Sequence, residues 1–274
     1  MLKILKCEIK RSFCNYMFLV SLFISGVLVI WYSMERIPLC VECNASFYNE
    51  NIYDNFLEVS YTNWIGSQNM YIQQNILYLI IPLLAVLPFG NSLYIDINQG
   101  YIKNICTRTS KSHYLLSKYI AVFLSGGCAV ILPMILSFVI SSAFLPTMLP
   151  ESSYIFTNIY PVYKWADLLF VHPFLYTFLY IGITFVFSGL TACMSLFITY
   201  FVDKNFIVLA FPFFIYIFSS LFFELLDLEG FSIRNILTTT GEQGTTLSVI
   251  ILVTSLFVLS FYPYYIWGVK RDVI

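Results

Sequence analysis

Only 11% of the residues are charged, where a soluble domain carries about 25%. That deficit, with 59% of the chain hydrophobic, excludes a freely soluble globular domain and places the protein in a bilayer. Histidine is nearly missing too: there are two, His113 and His172. In a six-span topology they fall on opposite sides of the membrane, so they share no metal. The chain has no G-x-x-x-x-G-K-[ST], no H-E-x-x-H and no G-x-S-x-G. These absences exclude a phosphate-binding loop, a zinc-protease helix and a nucleophile elbow. Neither an internal repeat nor a low-complexity tract occurs, so residues 1–274 read as one membrane domain. The expectation is a chain that is not itself an enzyme and binds no cofactor, metal or nucleic acid.

A bilayer-spanning helix needs about 20 mostly apolar residues. Six such blocks occur, at 16–33, 71–94, 114–144, 171–201, 206–226 and 245–267. Between the fourth and fifth lies only "VDKN", which predicts a tight helical hairpin. Pro82, Pro88, Pro133 and Pro212 fall within spans and predict kinked or loosened helices. Lysines precede the first block, as in a signal peptide. That block is long and offers no small-x-small cleavage site, so it reads as a retained helix. Six spans put both termini on one side. Eleven of the 14 Lys and Arg residues fall on that side, leaving Arg36, Lys164 and Arg234 on the other. The bias makes both termini cytoplasmic.

Leu2, Leu5, Ile9, Phe13 and Tyr16 form one helical stripe. Lys3, Lys6 and Lys10 lie beside it and Arg11 lies opposite. A helix of this kind rests in the membrane interface with its cations on lipid phosphates. On the outer side, residues 34–70 are acidic and rich in Asn and Tyr, and too long for a bare connector. Asn44-Ala45-Ser46 there matches a glycosylation acceptor, a triplet common by chance. A second outer segment, 145–170, is broken by Pro146, Pro150 and Pro161. A third, 227–244, carries Gly230, Gly241 and Gly244.

Three features invite functional readings. "LSGGC" at 124–128 shares four letters with the LSGGQ signature of ATP-binding cassette ATPases, but it sits inside an apolar span. There Gly126 and Gly127 are expected to permit close helix contact. Cys40 and Cys43 form "CVEC" in the outer loop, with no second outer cysteine pair to complete a zinc site. The pair reads as a structural disulfide in an oxidising compartment or as two idle thiols in a reducing one. Glu224 is an ionisable group near the outer end of the fifth span. It reads either as a functional carboxylate, a candidate for an outer gate, or as an interfacial group reaching for water beside Asp227 and Glu229.

The longest polar stretch that also carries several basic residues is "YIDINQGYIKNICTRTSKSHYLLSKY", residues 94–119, between the second and third spans. Positive-inside charge explains the sign of Lys103, Arg108, Lys111 and Lys118 but not their pattern. With Asp96, the run "GYIKNI" at 100–105 and "SKSHYLLSKY" at 110–119, the chain resembles the permease subunit of ABC-2 type ATP-binding cassette transporters, in the low-GC Gram-positive style. Asp96 stands where that family more often has Glu, and Lys111 where Arg is frequent. The resemblance implies an all-α integral membrane fold with six transmembrane helices and an N-terminal elbow helix at 1–15, a type V exporter-like permease. It implies a coupling loop at 95–113 that docks on a cytoplasmic ATPase, and an outer re-entrant segment at 227–244. ATP and magnesium would be held by that partner, and a second permease subunit would complete the pathway in the cell membrane. In this reading Gly100 permits a tight backbone exit, and Lys103, Arg108 and Lys111 meet acidic groups on the ATPase. Tyr101, Ile102 and Ile105, with Asn104 in the same run, fill its groove. Lys118 is expected on lipid phosphates. Relatives of this style commonly export peptides, such as bacteriocins, lantibiotics or toxins, or drugs, often for self-immunity.

Two rival classes are a secondary transporter driven by ion gradients and a non-transporting membrane sensor or accessory subunit. Secondary transporters usually place ionisable residues near the bilayer midplane, and no charge falls clearly at the centre of any block.

Overall fold

The computed structural model describes residues 2–50, 57–67, 71–107, 109–150, 165–239 and 245–270. Arg108, residues 151–164, Gly241 and Gly244 lie outside them. The described residues form helices and connecting turns, with no strand among them. A bilayer offers the backbone no hydrogen-bond partners, so a chain this apolar must satisfy its amides within helices.

Helix α1 (Leu2–Phe13) precedes α2 (Tyr16–Glu50). Then follow α3 (Ile72–Val86), α4 (Ser92–Asn98), α5 (Tyr101–Cys106) and α6 (Lys111–Phe144). A short α7 (Ala166–Val171) leads into α8 (Pro173–Ile198), which a six-residue turn joins to α9 (Asn205–Leu225). The small α10 (Ile233–Leu237) and long α11 (Thr246–Lys270) close the described chain. Five helices are long and apolar enough to cross a membrane: α2, α6, α8, α9 and α11. The architecture is that of a helical membrane protein.

The block expected as one span over 71–94 is divided. Helix α3 has 15 residues, a length of about 22 Å, short of a hydrocarbon core of about 30 Å. Pro88 and Gly90 end it. The carbonyls released there find side chains from elsewhere in the chain: Asn15 Nδ2, in the link between α1 and α2, donates to Pro88 O at 2.7 Å, and Ser195 Oγ of α8 to Gly90 O at 2.9 Å. The break is therefore a satisfied element of the fold.

Helix α8 is the axis, packing on α6, α11, α3 and α9. Its most apolar stretch is 67% buried, against 22% for that of α9. Glycines permit this density. A Cβ on Gly126 would collide with Ala192 of α8 and the Ala85 carbonyl of α3, and one on Gly127 with Phe185. The "LSGGC" motif is thus a helix-packing surface. Tyr264 Oη donates to Leu115 O at 3.0 Å, and Lys111 Nζ to Val269 O at 3.4 Å. These bonds bring the last described turn to the start of α6, where α1 also packs. Both ends of the described chain therefore meet at one end of the bundle, the basic end.

Candidate functional site

Where α1, α4 and α6 converge at the basic end, four charged side chains close a ring. Arg11 Nη1 donates to Glu8 Oε1 at 2.9 Å, and Arg11 Nη2 to Asp96 Oδ1 at 2.8 Å. Lys118 Nζ donates to Glu8 Oε2 at 3.0 Å and to Asp96 Oδ2 at 2.5 Å. Each carboxylate meets both cations, and the ring is neutral. Tyr114 Oη adds a hydrogen bond to Asp96 Oδ2 at 2.6 Å. Glu8, Asp96 and Lys118 have fully buried side chains, and that of Arg11 is 34% exposed.

Aromatic rings enclose the charges. The Lys118 ammonium lies 4.4 Å from the Phe89 ring centroid, and the Arg11 guanidinium 4.6 Å from that of Tyr101. Such faces attract cations, most strongly where water is excluded. Phe89 reaches this position because the chain breaks at Pro88 and Gly90. Burial works against the charge of Asp96. The Lys118 ammonium and the hydrogen bonds from Arg11, Lys118 and Tyr114 outweigh it and hold the carboxyl below its ordinary 3.8. Burial likewise opposes the Arg11 charge, and its bond to Asp96 with the two neighbouring carboxylates raises the guanidinium above its ordinary value.

The ring corrects the expectation for Lys118. It does not reach lipid phosphates, because its ammonium is held inside the protein by two carboxylates. It also redraws α1. Glu8 and Ser12 are the fully buried residues of that helix, while Leu2 is 75% exposed. The polar edge turns into the protein because it has partners there. Leu5, Ile9 and Phe13 are half-buried beside it, and Lys3, Lys6 and Lys10 face outward.

Gly100 stands at the bend between α4 and α5 with φ of +69°, and a Cβ there would meet nothing within 4 Å. The left-handed backbone, not crowding, selects glycine. Beyond the bend, α5 divides its faces. Ile102 is buried, and Tyr101 and Ile105 pack half-buried against the core. Ile102 is therefore unavailable to a docking groove. Positions 102 and 105 share the inner face of one helical turn, leaving Lys103, Asn104 and Thr107 exposed. Lys111 is half-buried at the start of α6.

The remaining candidates lie elsewhere. Cys40 and Cys43 are both free thiols, Cys40 buried with its Sγ 3.4 Å from Asn63 Oδ1, Cys43 exposed. Asn44 is occupied: its amide donates to Glu58 O at 3.0 Å and accepts from Glu58 N at 2.7 Å. His113 and His172 are exposed at opposite ends of the bundle, His113 beside Ser110 Oγ at 2.7 Å. Glu224 is exposed in the last turn of α9.

Sequence reading missed Glu8, Tyr114 and Phe89. Glu8 did leave a signal, being the single acid in a basic helix and three residues before Arg11. No protein-family model, curated protein or solved structure matches the chain.

Proposed function

We propose that the chain is the permease subunit of an ATP-binding cassette exporter of the ABC-2 class. It works with both termini and the α4–α5 segment in the cytoplasm. Helix α3 with its broken end counts as a sixth crossing. Two permease subunits form the pathway, and a separate ATPase docks on the exposed face of α5, at Lys103 and Asn104. The cargo class is a peptide or drug.

One observation carries this reading. The segment beyond Asp96 is joined to α1 and α6 by a closed ring of buried ion pairs, while its outer face is polar and exposed. A displacement of α5 by a partner would reach two packed helices without being absorbed in a slack loop, since a fully satisfied polar network is rigid. The same geometry disfavours a proton-coupled carrier. Asp96 is held ionised by two cations and a hydroxyl, so it is a poor proton acceptor near neutral pH.

Purification of the tagged chain from its own membrane tests the proposal. An ATPase with a phosphate-binding loop should accompany it. Lys103→Glu should lower its recovery about tenfold, a loss of about 1.4 kcal/mol in binding. Lys204→Glu, an exposed charge in the α8–α9 turn at the same end, should leave recovery unchanged. No ATPase with the unaltered chain, or equal losses in the two variants, would remove the reading.

A further inference from the structure

Beside the ion-pair ring, α1 and the broken end of α3 leave an open cleft of about 470 Å³. Its wall includes Cys7, Lys10, Arg11, Asn15, Asn91 and Ser92. Among the described residues, no carboxylate lines it. Arg11 is neutralised on its far side by Glu8 and Asp96, so the ring contributes no net charge. Lys10 is different: it forms no ion pair among the described residues, and neither do Lys3 and Lys6 on the same face. Ser92 is 3% exposed, and its Oγ has no hydrogen-bond partner among the described residues. A buried hydroxyl without a partner is costly unless something outside the protein satisfies it. Asn91 adds a side-chain amide, and Asn15 fixes the wall through its bond to Pro88 O at 2.7 Å.

We propose that this cleft binds a phosphate-bearing anion. The lysine supplies charge and the hydroxyl and amide supply donors, a set that suits several oxygens on one small centre. Two sources present that chemistry at the edge of a bilayer: the headgroup of an acidic lipid, and soluble phosphate. The cleft adjoins the N-terminus of α2 and the interfacial helix α1, within reach of a headgroup. Because Arg11 belongs to both cleft and ring, an anion here sits one side chain from the residues that fix α4. The inference stands on this geometry and does not require an ATPase partner.

Cys7 on α1 and Cys14 just beyond its end, both exposed and lining the cleft, report its occupancy. The full-length chain is reconstituted in phosphatidylcholine, with or without phosphatidylglycerol or inorganic phosphate. It is then treated with a small uncharged thiol reagent, and site-resolved mass spectrometry gives the rates. Phosphatidylglycerol should slow modification of Cys7 and Cys14 about tenfold. Cys106, half-buried on α5 and outside the cleft, should keep its rate and so controls for surface charge. Protection by phosphatidylglycerol alone assigns a lipid headgroup, and protection by inorganic phosphate assigns a soluble anion. Lys10→Gln and Ser92→Ala should each reduce the protection. Lys3→Gln, on the same helix face but outside the cleft wall, should preserve it. Equal loss in Lys3→Gln and Lys10→Gln would mean diffuse attraction and overturn the site. Absence of protection by either probe would overturn it as well.

Discussion

Both ends of the bundle carry a charged cluster, and the two are built differently. At the basic end, Glu8, Arg11, Asp96 and Lys118 form a ring of ion pairs between residues as far as 110 positions apart. At the far end, Arg36 pairs with Glu58 at 2.9 Å. Its other partners are neutral: Asn63 Oδ1 at 2.8 Å and Tyr71 Oη at 3.1 Å. Asn63 in turn donates to Glu58 Oε2 at 2.7 Å. The far cluster knits one local region, the upper part of α2 with the segment before α3. The ring joins three elements that only the folded state brings together. Where amides share the load, losing one charge leaves substitutes. In a closed ring, losing one charge leaves a buried neighbour without its partner.

The largest expected effect sharpens that contrast. Lys118→Ala strands two buried carboxylates with Arg11 alone and should destabilise by about 3–5 kcal/mol. Membrane abundance and thermal unfolding in detergent would read it. The double change Lys118→Met with Asp96→Leu removes a pair and should recover part of that loss, since replacing a buried pair costs less than breaking one. A double variant worse than the single would break the account of the ring. Arg36→Ala at the far end should cost less, about 1.5–3 kcal/mol, as expected for hydrogen bonds to a charged group. Equal losses at the two ends would erase the comparison.

Smaller effects follow. Gly100→Ala forces an L-residue into the left-handed region and should cost about 1–2 kcal/mol, all of it from backbone, since the space is open. Its functional loss should exceed its stability loss, because the α5 face is redirected; a variant that unfolds before it loses function would contradict this. Acid should have the least effect near neutrality. The Asp96 carboxyl is lower in the folded state than its ordinary 3.8. Its stabilisation is therefore complete above that value and fades as pH falls through the lower, folded one. Unfolding temperature should show no Asp96-dependent change between neutrality and mild acid, checked against Asp96→Asn. A titration near pH 6 that Asp96→Asn abolishes would show the carboxylate to be less well paired than its geometry indicates.

Much of the fold was legible because lipid imposes a coarse rule. An apolar run of sufficient length becomes a helix, and five of the six blocks did so. The second did not remain whole. Pro88 and Gly90 were visible, but their effect depended on Asn15 from the α1–α2 link and Ser195 from α8 arriving to satisfy the freed carbonyls. The site was half legible. Asp96, Gly100 and Arg11 stood out in the sequence, yet Lys118 reads there as a flanking cation of the third span. Ile102 likewise reads as available to a partner until packing hides it.

By itself, the sequence determined that this is a helical membrane protein with a polar, basic interruption between its second and third apolar blocks. It also determined that glycine must stand at the bend of that interruption. These follow from composition and local backbone geometry, which act over a few residues. Tertiary structure alone decided which charges are buried and which are free. Lys10 and Lys118 are the same side chain near the ends of two helices, and nothing local separates them. Lys118 is drawn inward because Glu8 and Asp96 converge on it from two other elements, so that ion pairs replace its water. Lys10 lines the cleft, and no carboxylate among the described residues is folded against it.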